Sequence, residues 1–178
     1  MIASYTRLSA LLAILSVSAA YQITPNVIDG VPGYLNISKD PFVKIGSNYY
    51  FIERKIQKNW YAAYESCRLM DADLIAYESL EELKLISQYL IDRKIENSYW
   101  ASGTDLAKQG KHVWLSTGKP VASNLWHKGE PNNQKGKEHC DHLWINKGVG
   151  GLNDYQCNVA RLYICKSPQP KTASFIIW

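Results

Sequence analysis

From residue 59 the apolar positions recur every three or four residues: Trp60, Ala63, Cys67 and Met70 in NWYAAYESCRLM. That spacing predicts a helix with one buried stripe, capped by Asn59. A second helix is predicted from Ser79. Leu80, Leu83, Ile86 and Leu90 form its apolar face, and Glu82 follows Ser79 at the spacing of a capping box. Both stripes read as core. Ahead of them, Phe42 to Glu53 reads as strand, broken by Gly46-Ser47-Asn48 as a hairpin or bend. After about residue 96 the period changes. SYWASG, HVWLST, HLWIN and RLYICK are short apolar runs between Gly-, Asn- and Pro-rich spacers, a pattern of short strands and loops. Strand, two helices, then strands predicts an α+β fold with the helices segregated from the sheet. Residues from about Gly103 to Lys137 read as one long loop. Loops of that length inside a compact domain are usually functional.

The two ends break this pattern. Arg7, the apolar run Leu8 to Val17 and the small residues Ser18-Ala19-Ala20 make residues 1–20 a secretory signal peptide, cleaved after Ala20. Its apolar run is too short for a bilayer, which needs roughly 20 residues. No later segment is long enough and apolar enough to span a membrane. The expected location is secreted and extracellular. Residues 21–41 hold three prolines and two glycines and read as an irregular leader. The leader carries the chain's single N-glycosylation sequon, at Asn36. Residues 168–178 are a tail ending in the apolar Phe175 to Trp178. A length of 178 residues leaves one domain between, over 42–167.

Export changes the reading of the cysteines. Cys67, Cys140, Cys157 and Cys165 are an even set in an oxidising compartment, so disulfides are expected, with three pairings open. His139-Cys140-Asp141-His142 has the look of a ligand cluster, but zinc sites show a CxxC or a second His pair, and neither occurs. The formal charge is +4, or +3 without Arg7, and it is scattered, which argues against nucleic acid. Six Trp and twelve Tyr suit a compact β-rich core, with some available to face a ligand. His112, His127, His139 and His142 sit in no nucleophile–base or metal–acid constellation, so the chain does not read as an enzyme.

Candidate chemistry concentrates in GEPNNQKGKEHC and GGLNDYQC. Glu130, Asn132, Glu138, Asn153 and Asp154 offer three carboxylates and two amides, all hard oxygen donors. Such a set suits calcium, which takes six to eight oxygens, and not zinc or copper. Pro131 can adopt a cis bond, which would turn the flanking Glu130 and Asn132 toward one point. A run of Glu, Asn, Lys and Gly is equally the composition of a solvated loop.

EPN, then Glu138 before Cys140, then LND before Cys157 resembles the sugar-binding signature of C-type lectin domains. HVWLSTG and Trp126 before GEPNN agree, while Trp100-Ala101-Ser102-Gly103 departs at two positions from the family's WIGL. The resemblance covers about residues 42–167, and the chain looks similar to small secreted insect members of the family. It implies the C-type lectin-like fold, two helices with small antiparallel sheets and a long calcium-binding loop. It implies disulfides Cys67–Cys165 and Cys140–Cys157. It implies one calcium held by Glu130, Asn132, Glu138, Asn153 and Asp154, the same five residues meeting the sugar. A second calcium would need acids at 105, 109, 133, 138 and 139. Gln109, Asn133 and His139 stand at three of these, so that site is expected to be empty. The order Glu-then-Asn implies mannose-type sugars (mannose, fucose, N-acetylglucosamine). Two alternatives stay open: a galactose-binding lectin and a calcium-independent, protein-binding domain. Tyr155 or Trp126 could stack on a sugar face, with Trp126 reading as core rather than platform. Expected partners are cell-surface or microbial glycans and glycoproteins, with oligomers raising avidity. Innate defence, recognition of self glycoproteins and a role in reproductive fluids all fit.

Overall fold

Asn59 ends an extended segment, and its side chain accepts the N–H of Ala62 at 2.9 Å, starting helix α1, Trp60–Arg68. The computed structural model describes residues 23–29, 40–95, 98–168 and 171–177. The signal-peptide segment and the Asn36 sequon lie outside them. Helix α1 buries Trp60, Ala63 and Cys67; Met70 lies just beyond its end. Helix α2, Leu80–Asp92, is capped by Ser79 and buries Leu83, Ile86 and Leu90. Only half of its predicted capping box forms. Glu82 reaches one residue further back, to the N–H of Glu78 at 2.8 Å, because its other oxygen takes the Tyr50 hydroxyl and Lys166.

The strands are β1 (Ile23–Asp29), β2 (Val43–Ile45), β3 (Asn48–Ile52), β4 (Asp73–Leu74), β5 (Ser98–Thr104) and β6 (Val113–Trp114). They continue as β7 (Cys140–Asn146), β8 (Val149–Tyr155), β9 (Leu162–Lys166) and β10 (Lys171–Ile177). Eight form one sheet, ordered β2-β3-β9-β5-β7-β8, with β4 beside β9 and β6 beside β5. All pairings in it are antiparallel except β5–β9, where Tyr99 faces Leu162 and Trp100 faces Tyr163. This parallel contact fuses the expected small antiparallel sheets into one mixed sheet.

Aromatic side chains fill the core, and the N–H groups of its two buried tryptophans Trp60 and Trp100 are satisfied. Trp60 Nε1 donates to the Ala101 carbonyl at 2.7 Å, and Trp100 Nε1 to that of Lys58 at 2.9 Å. Cys67 is bonded to Cys165, tying α1 to β9, and Cys140 to Cys157, tying the start of β7 to the chain after β8.

Two segments differ from their sequence pattern. The long loop is built rather than open: besides β6, which falls in the strand-like run HVWLST, it carries 3-10 turns at Ser123–Leu125 and Gln134–Gly136. Part of the leader, β1, pairs antiparallel with β10 of the tail as a separate two-stranded sheet, Ile23 facing Ile177 and Asp29 facing Lys171. Pro25 and the distance of over 140 residues hide such a pairing from any local pattern.

Candidate functional site

The β7–β8 hairpin sets the register of the site. Asp141 faces Asp154 and His142 faces Asn153 across it. The loop after Trp126 is laid against β8, because His127 N–H donates to the Leu152 carbonyl at 2.9 Å. The His127 ring sits on Gly151, where a Cβ would come within 2.9 Å of it, and Nε2 reaches the Trp144 carbonyl at 2.9 Å. Glu130 N–H then donates to His127 O at 3.0 Å. The Glu130–Pro131 peptide is cis.

These contacts bring the five expected residues together. Glu130, Asn132, Glu138 and Asn153 line one cleft of about 390 Å³, and Asp154 is fully buried. Such a volume is that of a small-molecule site. The Asp154 carboxylate accepts the N–H of Asn132 at 3.0 Å and of Asn133 at 2.8 Å. Asn132 Nδ2 donates to Glu130 Oε1 at 2.9 Å. Glu138, only 3% exposed, accepts Gln134 N–H at 3.0 Å, while its own N–H donates to Asn133 Oδ1 at 3.1 Å. Asn153 Nδ2 donates to the Asp154 carbonyl at 2.7 Å and lies 3.1 Å from His142 Nε2. An amide nitrogen can only donate, so Nε2 accepts and the His142 hydrogen is on Nδ1. Burial, with the nearby Arg161 charge, holds His142 down at about 3 and therefore neutral.

The acids crowd one another. Burial, then the hydrogen bond and charge of Asp154, push the Glu130 carboxyl up to about 7. Burial also raises Glu138, against the pull of the Gln134 N–H. Glu130 Oε2 is buried without a hydrogen-bond partner. An orphaned carboxylate oxygen amid crowded acids, with amide oxygens alongside, fits a hard cation such as calcium. Among the described residues no three carboxylate, histidine or cysteine side chains converge as a finished metal centre. Here Asp154 spends both oxygens on loop amides, and two of the five donors are amides themselves.

At the positions for a second cation the protein makes its own contacts. His139 Nδ1 lies 2.8 Å from Asp105 Oδ1, and Gly110 N–H donates to Asp105 Oδ2 at 2.7 Å. Gln109 is exposed. Behind these, His112 Nδ1 lies 2.7 Å from Asp141 Oδ1, both buried. Burial alone would lower His112, but the bond and charge of Asp141, then Asp105, leave it raised. Asp141, fully buried and held back by His112, stands at about 6.

Of the two aromatics expected near the site, Tyr155 lines the cleft, with the Arg161 guanidinium 4.1 Å over its ring. Trp126 packs on His112 and the core, the role its sequence reading favoured. The sequence reading missed Ser98, His142, Trp144 and Arg161, which also line the cleft. His142 was visible only as half of a zinc-like string. Arg161 lies 31 residues from Glu130 and carries no local signal.

The profile of the Lectin C-type domain matches residues 56–167. The chain is 37% identical over 163 residues to "C-type lectin 37Da" of Drosophila melanogaster, covering 87% of each chain. It is 34% identical over 124 residues to "C-type lectin 37Db" of the same fly, covering 70% of this chain and 80% of that one. The mouse scavenger receptor C-type lectin carbohydrate-recognition domain superposes with a TM-score of 0.64 at 24% identity, covering 75% of this chain and 98% of that one.

Proposed function

The chain belongs to the C-type lectin domain family, and from that premise we propose that it is a secreted, calcium-dependent lectin for terminal mannose-type sugars. The family's domain is a carbohydrate-recognition domain and not an enzyme. The observation that carries the calcium reading is Glu130: an orphaned buried oxygen on a carboxyl pushed up to about 7 by burial and Asp154. Removing that repulsion requires a proton or a cation.

Glu130, Asn132, Glu138, Asn153 and Asp154 would hold the one ion. Calcium, when bound, supplies open coordination positions to two adjacent sugar hydroxyls. The chain supplies the hydrogen bonds around them. Glu130 and Glu138 accept hydroxyl protons. Asn132 keeps one amide hydrogen for a hydroxyl oxygen after bonding Glu130. Asn153 has both amide hydrogens engaged, by Asp154 and His142, and so offers its Oδ1. Bonds to charged groups of this kind are each worth ~1.5–3 kcal/mol. The Glu-then-Asn order supports equatorial vicinal hydroxyls, the mannose-type pair.

Secretion rests on residues 1–20; among the described residues no helix is long and apolar enough to cross a membrane. A shallow site for one terminal sugar binds weakly alone, so several copies presented together would supply avidity of about 10²–10⁴. The test is a glycan array run in calcium and again in EDTA. Calcium-dependent signal on mannose or fucose glycans is the expected result. Signal confined to galactosides would overturn the sugar preference, and signal indifferent to EDTA would overturn the calcium role.

A further inference from the structure

Besides Glu130, Asn132, Glu138 and Asn153, the cleft is walled by Ser98, His142, Trp144, Tyr155 and Arg161. Arg161 is half-buried and makes no ion pair among the described residues. Its Nη1 donates to Ser98 Oγ. Its Nε is buried without a hydrogen-bond partner. Its flat face is held 4.1 Å over the Tyr155 ring and 5.5 Å from Trp100. A partly desolvated cation with spare donors is costly to hold unpaired.

The cation is also wired to the sugar site. Ser98 Oγ, which accepts from Arg161, lies 3.0 Å from His142 Nδ1, and His142 Nε2 takes the Asn153 amide. The chain Arg161–Ser98–His142–Asn153 fixes the guanidinium at a set distance from the five-residue cluster. A planar guanidinium, pre-oriented on an aromatic face, is the group suited to two-pronged recognition of carboxylate or sulfate oxygens.

We propose that Arg161 forms an anion subsite in the sugar cleft, taking a sulfate or carboxylate carried by an acidic saccharide whose ring occupies the Glu130–Asp154 site. This rests on the lectin reading above. The plainer role, a counter-charge for Glu138, predicts equal effects on neutral and acidic sugars, since it acts through the carboxylates alone.

The test measures calcium-dependent affinity of the full domain for methyl mannoside, its neutral 6-O-methyl ether, its 6-sulfate and its 6-carboxylate. The variants are Arg161→Gln and Arg161→Lys, with thermal melting in parallel to verify folding. In the natural protein at least one acidic sugar should bind about tenfold tighter than the neutral pair. Which acid gains identifies the substituent. The gain should shrink as salt rises. It should fall toward one in Arg161→Gln and be partly kept in Arg161→Lys, which retains charge but loses the fork. Mannoside binding with no gain for either acid overturns the subsite and leaves the lectin reading intact. A gain that persists in folded Arg161→Gln also overturns it. Failure to bind any of the four sugars in calcium overturns the mannose-type reading and the subsite with it.

Discussion

Glu130 is the residue on which the site turns. Its carboxyl stands at about 7 rather than its ordinary 4.5 because burial and Asp154 disfavour its charge. The metal-free fold therefore holds a proton that the unfolded chain releases. That contribution is present below about pH 4.5 and is lost as pH rises through about 7. Melting of the calcium-free domain should accordingly fall between pH 5 and 7.5, and added calcium should restore it most at the upper end. A flat profile without metal would sink the crowded-acid account. Acidification is expected to release calcium and sugar together, the same competition seen from the other side, since protonated carboxylates are poor ligands. Swapping the order, Glu130→Gln with Asn132→Asp, should move preference toward galactose; unchanged mannose retention would show that these residues are not the sugar ligands. Away from the cleft, His112→Ala leaves Asp141 buried without its partner. Loss of about 3 kcal/mol is expected at pH 8 and less at pH 5, where Asp141 takes up a proton, read from denaturant midpoints. Gly103 belongs to this network, for a Cβ there would lie 1.9 Å from Asp141 Oδ2.

At the scale of elements, the helices were legible because their information is local. Asn59 and Ser79 cap where the pattern starts them, and the predicted stripes are the buried faces. Of the hairpin β7–β8 only the first strand was legible, as the apolar run HLWIN; β8 was read only for its oxygen donors. The hairpin's register is what brings Glu138 within reach of Asn153 and Asp154, and Cys140–Cys157 closes it over 17 residues. Cys67–Cys165 closes 98 residues and lies in the core. Replacing the second pair by alanine should cost more global stability, by about 1–2 kcal/mol on loop-closure grounds. Replacing Cys140 and Cys157 should instead weaken calcium binding out of proportion to its effect on melting. Isothermal titration beside thermal melts separates the two; equal ratios for both pairs would contradict the division of labour.

For the whole molecule, one parallel contact between β5 and β9 joins the N-terminal half, with its helices, to the half that carries the site. The terminal strands β1 and β10 make their own sheet apart from this body. A two-stranded sheet alone is marginal in water, so the body should not depend on it. A chain trimmed to residues 40–168 is expected to fold and to keep EDTA-sensitive retention on mannose-agarose. Loss of the fold on trimming would show that the ribbon supports the body.

The sequence by itself determined the two helices and the α+β order, and it named five candidate oxygen donors, because each depends on neighbours within a few residues or on a spaced motif. EPN, Glu138 and LND could be read directly, and the resemblance they support supplied the disulfide pairing that spacing alone left open. What only the tertiary structure decided depends on distance in space. The β1–β10 pairing and the His112–Asp141 and His139–Asp105 contacts all join segments with no common period. Arg161 is the clearest case: it reaches Ser98 across 63 residues, and nothing near it in the chain marks it as part of the cleft. Local patterns encode which face of an element is buried; only the packed chain decides which charges are left facing one another.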